Sequence, residues 1–302
     1  MMAQVYLVTG ASTGFGYLTA RALARAGHTV FAGMYRPDGN TSSHEADVRA
    51  YAKENSVDLR PVALDLLSQD SIDAAVAHIR NNTPRHSIDG VVHNAGHMCY
   101  GPAEAFTPAQ LMRLYDVNVV GCQRLNQAVL PHMRLARRGH LIWVASSSTW
   151  GARSPYLGPY FATKAAQDHL AQAYAVELNP WGIETTIVTP GVFTSGTSHF
   201  TDAMAPGVKV VADDYDDGNA PTKDLQREVS EGTAKLPPPD ADPAVVAEAI
   251  VRVAGLPRGE KPLRVFADPS MDGCDVAAAV GDNNKVNVFR RAGWMKYLKV
   301  WL

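Results

Sequence analysis

Cysteine is scarce in this chain. Cys99, Cys122 and Cys274 are the three present in 302 residues, and no two of them form a C-x-x-C pair. An odd, widely spaced set argues against a disulfide framework and against a zinc site, so no metal is expected. Reduced thiols in a cytoplasm are the expectation instead. Net charge is equally slight. The 28 Lys and Arg against 30 Asp and Glu leave −2, which gives no electrostatic reason for nucleic acid or anionic membrane as partner. Long apolar runs are missing too. The first, within "MMAQVYLVTG", stops at Thr9-Gly10, too early to span a bilayer and without the charged start of a secretory signal. A soluble, cytoplasmic protein with no membrane span is expected. What the chain has is an ordinary globular balance, 46% hydrophobic and 19% charged. Its length suits one large α/β domain or two small ones.

The clearest local pattern comes first. "VYLVTG" is a short, β-branched apolar run closed by glycine, which reads as a buried parallel strand. "YLTARALARAG" follows at helical spacing with Gly27 in the C-cap position, and "HTVFAGM" is a second strand. Strand, glycine-rich turn, helix and strand make a βαβ unit. The turn "TGASTGFG" carries Gly10, Gly14 and Gly16, with Ser12, Thr13 and Phe15 between them. Glycines there let the backbone approach a ligand, and the helix start offers free N–H groups to a pyrophosphate. A dinucleotide cofactor is expected. An acid closing the second strand would bind the ribose 2′-hydroxyl of NAD. That strand ends at Met34, which is no acid, and Arg36 follows in "YRPDG". This leans slightly toward the 2′-phosphate of NADP over NAD.

Further strands are expected at "LRPVALDL", "IDGVVHNAG", "HLIWVASS" and "IETTIVTPG". Helical stretches lie between them, including one continuous run over 108–136. This alternation predicts an α/β fold, a Rossmann-type doubly wound parallel sheet forming a single domain. In "GPYFATKAAQDHL", Tyr160 and Lys164 stand four apart, on one face of a helix. A fixed cation beside a phenol favours the phenolate and suits it to acid/base work.

Together these residues resemble the short-chain dehydrogenases/reductases. The likeness rests on "TGASTGFG", "HNAG", Asn118 in "DVNVVG", the serines after "LIWVA", "YFATK" and "TPG", in order over roughly residues 3 to 200. It implies NAD(P)-dependent interconversion of a secondary alcohol and a ketone. It implies a catalytic tetrad of Asn118, a serine, Tyr160 and Lys164, with Tyr160 as acid/base and Lys164 also on the nicotinamide ribose. Ser147 is the expected serine, with Ser146 close behind. The interval to Tyr160 favours Ser147, and the strand count from Gly139 favours Ser146; Ser148 fits the spacing to Gly151. The likeness also implies that Asp65 and Leu66 face the adenine and that Asn94, Ala95 and Gly96 line the ribose. Pro190, Gly191 and Phe193 would pass the nicotinamide, with Thr194 or Ser195 near its carboxamide or the pyrophosphate. His93 departs from the family's more usual asparagine, with the loss of one hydrogen bond expected. A homodimer or homotetramer is implied, pairing through Leu125, Val129, Leu170 and Tyr174.

Residues 196 to 240 turn acidic and rich in glycine and proline, and read as an irregular substrate-covering insertion. "PAVVAEAIVRVAGLP" returns as a helix with Asp242 as its cap, "PLRVFADP" as a last strand, and 285–302 as a cationic, aromatic tail. His97, Met98, Tyr100, Trp150, Tyr156 and Phe200 are candidates for a largely apolar substrate pocket. Two other readings stay open. One is a non-catalytic dinucleotide-sensing regulator, which would need neither Tyr160 nor Lys164. The other is an epimerase or dehydratase, whose usual T-G-x-x-G-x-x-G the turn does not match.

Overall fold

The computed structural model describes residues 3–35, 43–151 and 154–298. Arg36, on which the lean to NADP partly rests, lies outside them. The described residues form a seven-stranded parallel sheet of β1 (Val5–Thr9), β2 (Thr29–Met34), β3 (Leu59–Ala63), β4 (Gly90–His93), β5 (Gly139–Val144), β6 (Ile183–Pro190) and β7 (Arg264–Ala267). The order is β3-β2-β1-β4-β5-β6-β7. The chain builds outward from β1 in one direction, then crosses back to lay β4 on its other side. That reversal opens a crevice at the carboxyl ends of β1 and β4, where open α/β sheets bind ligands.

The strands are apolar because both faces are covered. On one face Phe31, Val91, Leu141, Trp143 and Ile187 pack with residues of α3 (Gln69–Asn81), α5 (Gly121–Ala136) and α6 (Gly158–Leu178). On the other, Val30, Val92, Ile142 and Val188 meet α1 (Gly14–Arg25) and α9 (Ala244–Gly255). Leu125 and Val129, expected at a subunit interface, are buried in the first cluster, and Leu170 and Tyr174 pack against it. Leu125 and Val129 therefore serve the chain's own core, and Leu170 and Tyr174 are partly buried beside it.

Four departures from the sequence reading have physical causes. The continuous helix over 108–136 is interrupted. After α4 (Pro108–Tyr115), which opens with a Thr107–Gln110 capping box, residues Asp116–Val120 form a π-helical turn. The second is a helix that sequence periodicity did not mark, α2 (Ser43–Asn55), which buries only Glu45 and Val48. Third, the insertion is partly ordered as α7 (Lys209–Asp216) and α8 (Leu225–Ala234), though α7 buries none of its residues. Last, α10 (Cys274–Ala292) takes in the start of the expected tail at 285–292 and carries weak patterning, burying Cys274 and Ala278.

The C-terminal part is fastened to α6. Arg264 on β7 pairs with Asp168 at 2.6 and 2.9 Å and with Asp282 of α10 at 3.2 Å. The Arg264 and Asp168 side chains are 5% and 1% exposed. A buried pair of this kind is costly to break, because either partner alone is an uncompensated buried charge. Further along, Asn179 Nδ2 donates to the Tyr297 carbonyl at 3.2 Å, so the tail lies on its own domain.

Candidate active site

The glycine-rich turn needs its glycines for two separate reasons. Gly10 and Gly14 have φ of 64° and 55°, in the left-handed region that side chains avoid. Gly16 is required by contact instead: a Cβ there would stand 2.3 Å from the Gly10 carbonyl oxygen. Helix α1 starts at Gly14, and the Thr13 side chain caps none of its amides. That leaves the first-turn N–H groups free for an anion. Asn94 closes the arrangement from β4. Its Nδ2 donates to the Thr9 and Gly10 carbonyls at 3.0 and 3.2 Å. Thr9 Oγ1 in turn accepts the Asn94 and Ala95 amides, each at 3.0 Å.

From this turn a cavity of about 380 Å³ runs along the carboxyl ends of the strands. Gly10, Ser12, Thr13, Gly14 and Phe15 line one end, with Asp65 and Leu66 beside them. Asn94, Ala95 and Gly96 line it too, as do Pro190, Gly191 and Phe193. Phe15 and Phe193 meet edge to face at 5.4 Å, tying the turn to the end of β6. Asp65 also accepts the Leu67 amide at 2.9 Å, so it braces its own turn while facing the cavity. Gly16 lies beneath the turn and not on the cavity wall. Thr194 and Ser195 are exposed and do not line the cavity; Thr197 does, near Gly14. Met34 is fully buried, whereas Tyr35 is 55% exposed and on the cavity wall. The residue at the end of β2 that lines the cavity is therefore Tyr35, one position beyond Met34.

Helix α6 delivers Tyr160 and Lys164 one turn apart, 7% and 3% exposed. Lys164 Nζ donates to the Val144 carbonyl at 2.9 Å and to Gln167 Oε1 at 3.0 Å. Burial pushes the Lys164 pKa down to about 8. Burial pushes the Tyr160 phenol up, with a hydrogen bond to Ser146 pulling the other way. The three serines thus divide. Ser146 is the one that meets Tyr160, and it is held by Ser148 Oγ at 2.8 Å.

The π turn explains where Asn118 goes. One extra residue in the turn directs its side chain inward, where Oδ1 accepts the His97 amide at 2.8 Å. Its Nδ2 donates to the His97 carbonyl at 2.9 Å and to Thr163 Oγ1 at 2.8 Å. Asn118 thereby joins the end of β4 to α6, one residue from Lys164. Below it, His93 keeps a hydrogen bond to Asn126 Oδ1 at 2.9 Å and lies on Trp143 at 4.3 Å between rings. Its Nδ1 has no partner among the described residues, and burial lowers its pKa to about 4.

Of the expected pocket residues, His97, Met98 and Phe200 line the cavity. Three do not. Tyr100 donates to the Gln226 carbonyl at 2.9 Å, pinning α8. Trp150 fills the space left by Gly281 of α10, and Tyr156 adopts a left-handed turn with φ 64°. His199, Asp202, Thr233, Leu236 and Asp272 line the cavity and were not marked in the sequence. They come from the insertion and the C-terminal loop, where no periodic pattern or motif singles them out. His199 meets the Tyr160 ring edge-on at 6.2 Å. Its segment is stitched to the cavity wall by Met204 N to Met98 O at 2.9 Å and Tyr100 N to Met204 O at 3.1 Å.

The family model for the short chain dehydrogenases matches residues 4–205 of this fold and site. The chain belongs to that family and is one of its oxidoreductase enzymes. It is 34% identical over 203 residues to 3-ketodihydrosphingosine reductase of Bacteroides thetaiotaomicron, covering 67% of each chain. It is 29% identical over 197 residues to mitochondrial D-beta-hydroxybutyrate dehydrogenase of Rattus norvegicus, covering 65% of this chain and 56% of that one. The aligned stretch is thus little more than half of the second relative. Among solved structures, a short-chain dehydrogenase from Streptomyces avermitilis superposes with a TM-score of 0.73 at 24% identity, covering 96% of this chain and 98% of that one. An alcohol dehydrogenase from Thermococcus sibiricus, complexed with 5-hydroxy-NADP, gives 0.67 at 22%, covering 88% and 96%. These likenesses establish the fold. Among the described residues, no helix is long and apolar enough to cross a membrane.

Proposed function

We propose that this chain interconverts a secondary alcohol and a ketone on a small molecule, using NADP in preference to NAD. One observation carries the reading. A buried tyrosine, a serine hydroxyl and a buried lysine converge at the inner end of a cavity that begins at a glycine-rich turn. The glycine contacts and the open start of α1 fit a dinucleotide pyrophosphate. Gly10, Ser12, Thr13, Gly14 and Phe15 would hold that pyrophosphate. Asp65 and Leu66 would meet the adenine and Asn94, Ala95 and Gly96 its ribose, with Pro190, Gly191 and Phe193 along the nicotinamide. When bound, the dinucleotide supplies or accepts the hydride. The complexes with NADP and its 5-hydroxy derivative among proteins of this fold support the choice of cofactor.

The protein's own residues handle the proton and the geometry. Tyr160 passes a proton to, or takes one from, the substrate oxygen. Ser146 hydrogen-bonds the same oxygen and orients it. Lys164, its ammonium held by the Val144 carbonyl and Gln167, binds the nicotinamide ribose. Asn118 holds the turn around Lys164. Thr233 of α8, with His199 and Phe200, covers the substrate. A cytoplasmic location and a homodimer or homotetramer belong to the same reading.

Tyr160→Phe is the test. It keeps the ring and removes one oxygen, so fold and cofactor affinity should survive while turnover falls ~10²- to 10⁴-fold. Lys164→Ala should lower turnover and cofactor affinity together. Ser146→Ala should cost more turnover than Ser147→Ala. Near-normal turnover in Tyr160→Phe, on any ketone the native enzyme accepts, would overturn the mechanism and leave a dinucleotide-sensing regulator as the reading to pursue.

A further inference from the structure

Gln167 lies one turn beyond Lys164 on α6 and is 1% exposed, and it takes no part in the cavity wall. A buried primary amide is costly unless its oxygen and its nitrogen both find partners. Here both do. Oε1 accepts from Lys164 Nζ at 3.0 Å, and Nε2 donates to Cys122 Sγ at 3.5 Å. The partners fix which way the amide points. An ammonium can only donate, so it meets the oxygen, and the nitrogen is left for the sulfur. The Cys122 thiol, on α5, in turn donates to the Asn118 carbonyl at 3.6 Å. A line of buried hydrogen bonds thus runs from the π turn through Cys122 and Gln167 to the ammonium. It is a second link between that turn and α6, beside the bond from Asn118 Nδ2 to Thr163 Oγ1 at 2.8 Å.

Packing alone does not ask for glutamine here. A methionine of similar length would fill the same space and bring no strong polar group to satisfy. What the amide adds is an acceptor for a buried cation. The Lys164 ammonium has three N–H bonds. The Val144 carbonyl takes one at 2.9 Å and Gln167 takes the second, which leaves one for a ligand. No carboxylate among the described residues pairs with it. The titratable groups around it are uncharged at neutral pH. Burial pushes the Cys122 thiol of α5 up to about 11 and the Tyr160 phenol up, and it pushes His199, on the segment after β6, down to about 4. Two neutral oxygens are therefore what holds this charge in place.

We propose that Gln167 is a positioning residue: with the Val144 carbonyl it fixes the Lys164 ammonium beside the cavity and presents its one remaining N–H to the cofactor. This rests on the alcohol/ketone reading above for the identity of that ligand.

The test reads Lys164 directly. Its titration is followed by NMR of protein carrying carbon-13 at the lysine ε-carbon, the Lys164 signal being the one absent from Lys164→Met. The native midpoint should lie at about 8. Gln167→Met keeps the length and removes the acceptor, so the midpoint should fall by about one pH unit. Gln167→Glu supplies a charged acceptor and should raise it by about as much or more. A glutamine with a structural role alone would lower the denaturant midpoint in both variants and leave the Lys164 titration where it is, and that result overturns the proposal. If Gln167→Met does not fold, Gln167→Glu decides alone: a raised titration supports the proposal and an unmoved one overturns it. Fluorescence titration with NADPH is then repeated across pH. The pH above which affinity declines should move down in Gln167→Met and up in Gln167→Glu. If the Lys164 titrations move and NADPH affinity does not follow them, the positioning stands and the assignment of Lys164 to the nicotinamide ribose fails.

Discussion

Asn118 grips the backbone of His97 from both sides, accepting its amide at 2.8 Å and donating to its carbonyl at 2.9 Å. The third bond of that side chain, to Thr163, reaches the helix of Tyr160 and Lys164. A Cβ at Gly96 would stand 3.2 Å from Asn118 Oδ1 and 3.8 Å from Lys164 Nζ, so the gap between them is a glycine's width.

Asn118→Ala strips three hydrogen bonds from a residue with no exposure. Each buried group left unpaired costs about 1–3 kcal/mol. A loss of at least about 3 kcal/mol is expected, read as a lower denaturant midpoint with an unchanged slope. Cofactor affinity should fall as well, since the same bonds set the position of Gly96. An unchanged midpoint would show that these bonds do not hold the site.

Lys164 gives a pH dependence to cofactor binding. Its pKa in the free protein is pushed down to about 8 by burial. An anionic dinucleotide favours the charged ammonium and raises that pKa on binding. Affinity should then be flat below about pH 8 and decline above it, by linkage. Titrations from pH 6.5 to 9.5 decide the matter; Lys164→Met should bind weakly with no such decline.

His93 ties stability to pH in the opposite direction. Its pKa in the fold is about 4 against 6.5 for a free imidazole. The unfolded chain gains a proton below pH 6.5 that the fold refuses. Stability is therefore full above about 6.5 and lost as pH falls toward 4, by up to about 3 kcal/mol. His140, also buried with a lowered pKa, adds loss of the same sign. Denaturant unfolding at pH 7 and pH 5 should show a smaller drop in His93→Asn than in the native protein.

Cofactor choice can be moved at Tyr35. Native protein should bind NADP(H) more tightly than NAD(H) in fluorescence titration. Tyr35→Asp sets a carboxylate on the cavity wall, where it repels a 2′-phosphate and accepts from a 2′-hydroxyl. The preference should shift toward NAD(H). Met34→Asp would instead bury a carboxylate in the core and cost stability. Tighter NAD(H) binding by the native protein would refute the NADP assignment.

The sheet was legible because most strands centre on a short apolar run, as burial on two faces demands, with Arg60, Glu184 and Arg264 as interruptions in β3, β6 and β7. The turn and the Tyr160–Lys164 pair were legible because their chemistry needs fixed residue types at fixed spacing. Elsewhere the information is spread over distance. Nothing near Ser146 in the chain says that it, and not Ser147, meets Tyr160. The π turn at Asn118 is one residue's excess within a run that reads as plain helix. Helices α2, α7 and α10 bury so few side chains that no period marks them. Leu125 and Val129 illustrate the limit of an apolar position, since core and interface demand the same residue types.

The Arg264–Asp168 pair has a bearing on how the protein is made. Arg264 emerges 96 positions after Asp168. A chain is synthesised from its N-terminus at ~5–20 residues per second, and segments fold as they appear. The helix of Tyr160 and Lys164 thus leaves the ribosome with a carboxylate on its inner face and no cation to meet it. For several seconds Asp168 has to remain hydrated, and the middle of the helix cannot dock fully. The arrival of β7 supplies the cation, and α10 then adds Asp282. Nascent chains stalled before Arg264 should therefore be cut by protease within α6, and chains released beyond Asp282 should resist. A segment made well after the helix is what locks the helix carrying the reactive residues.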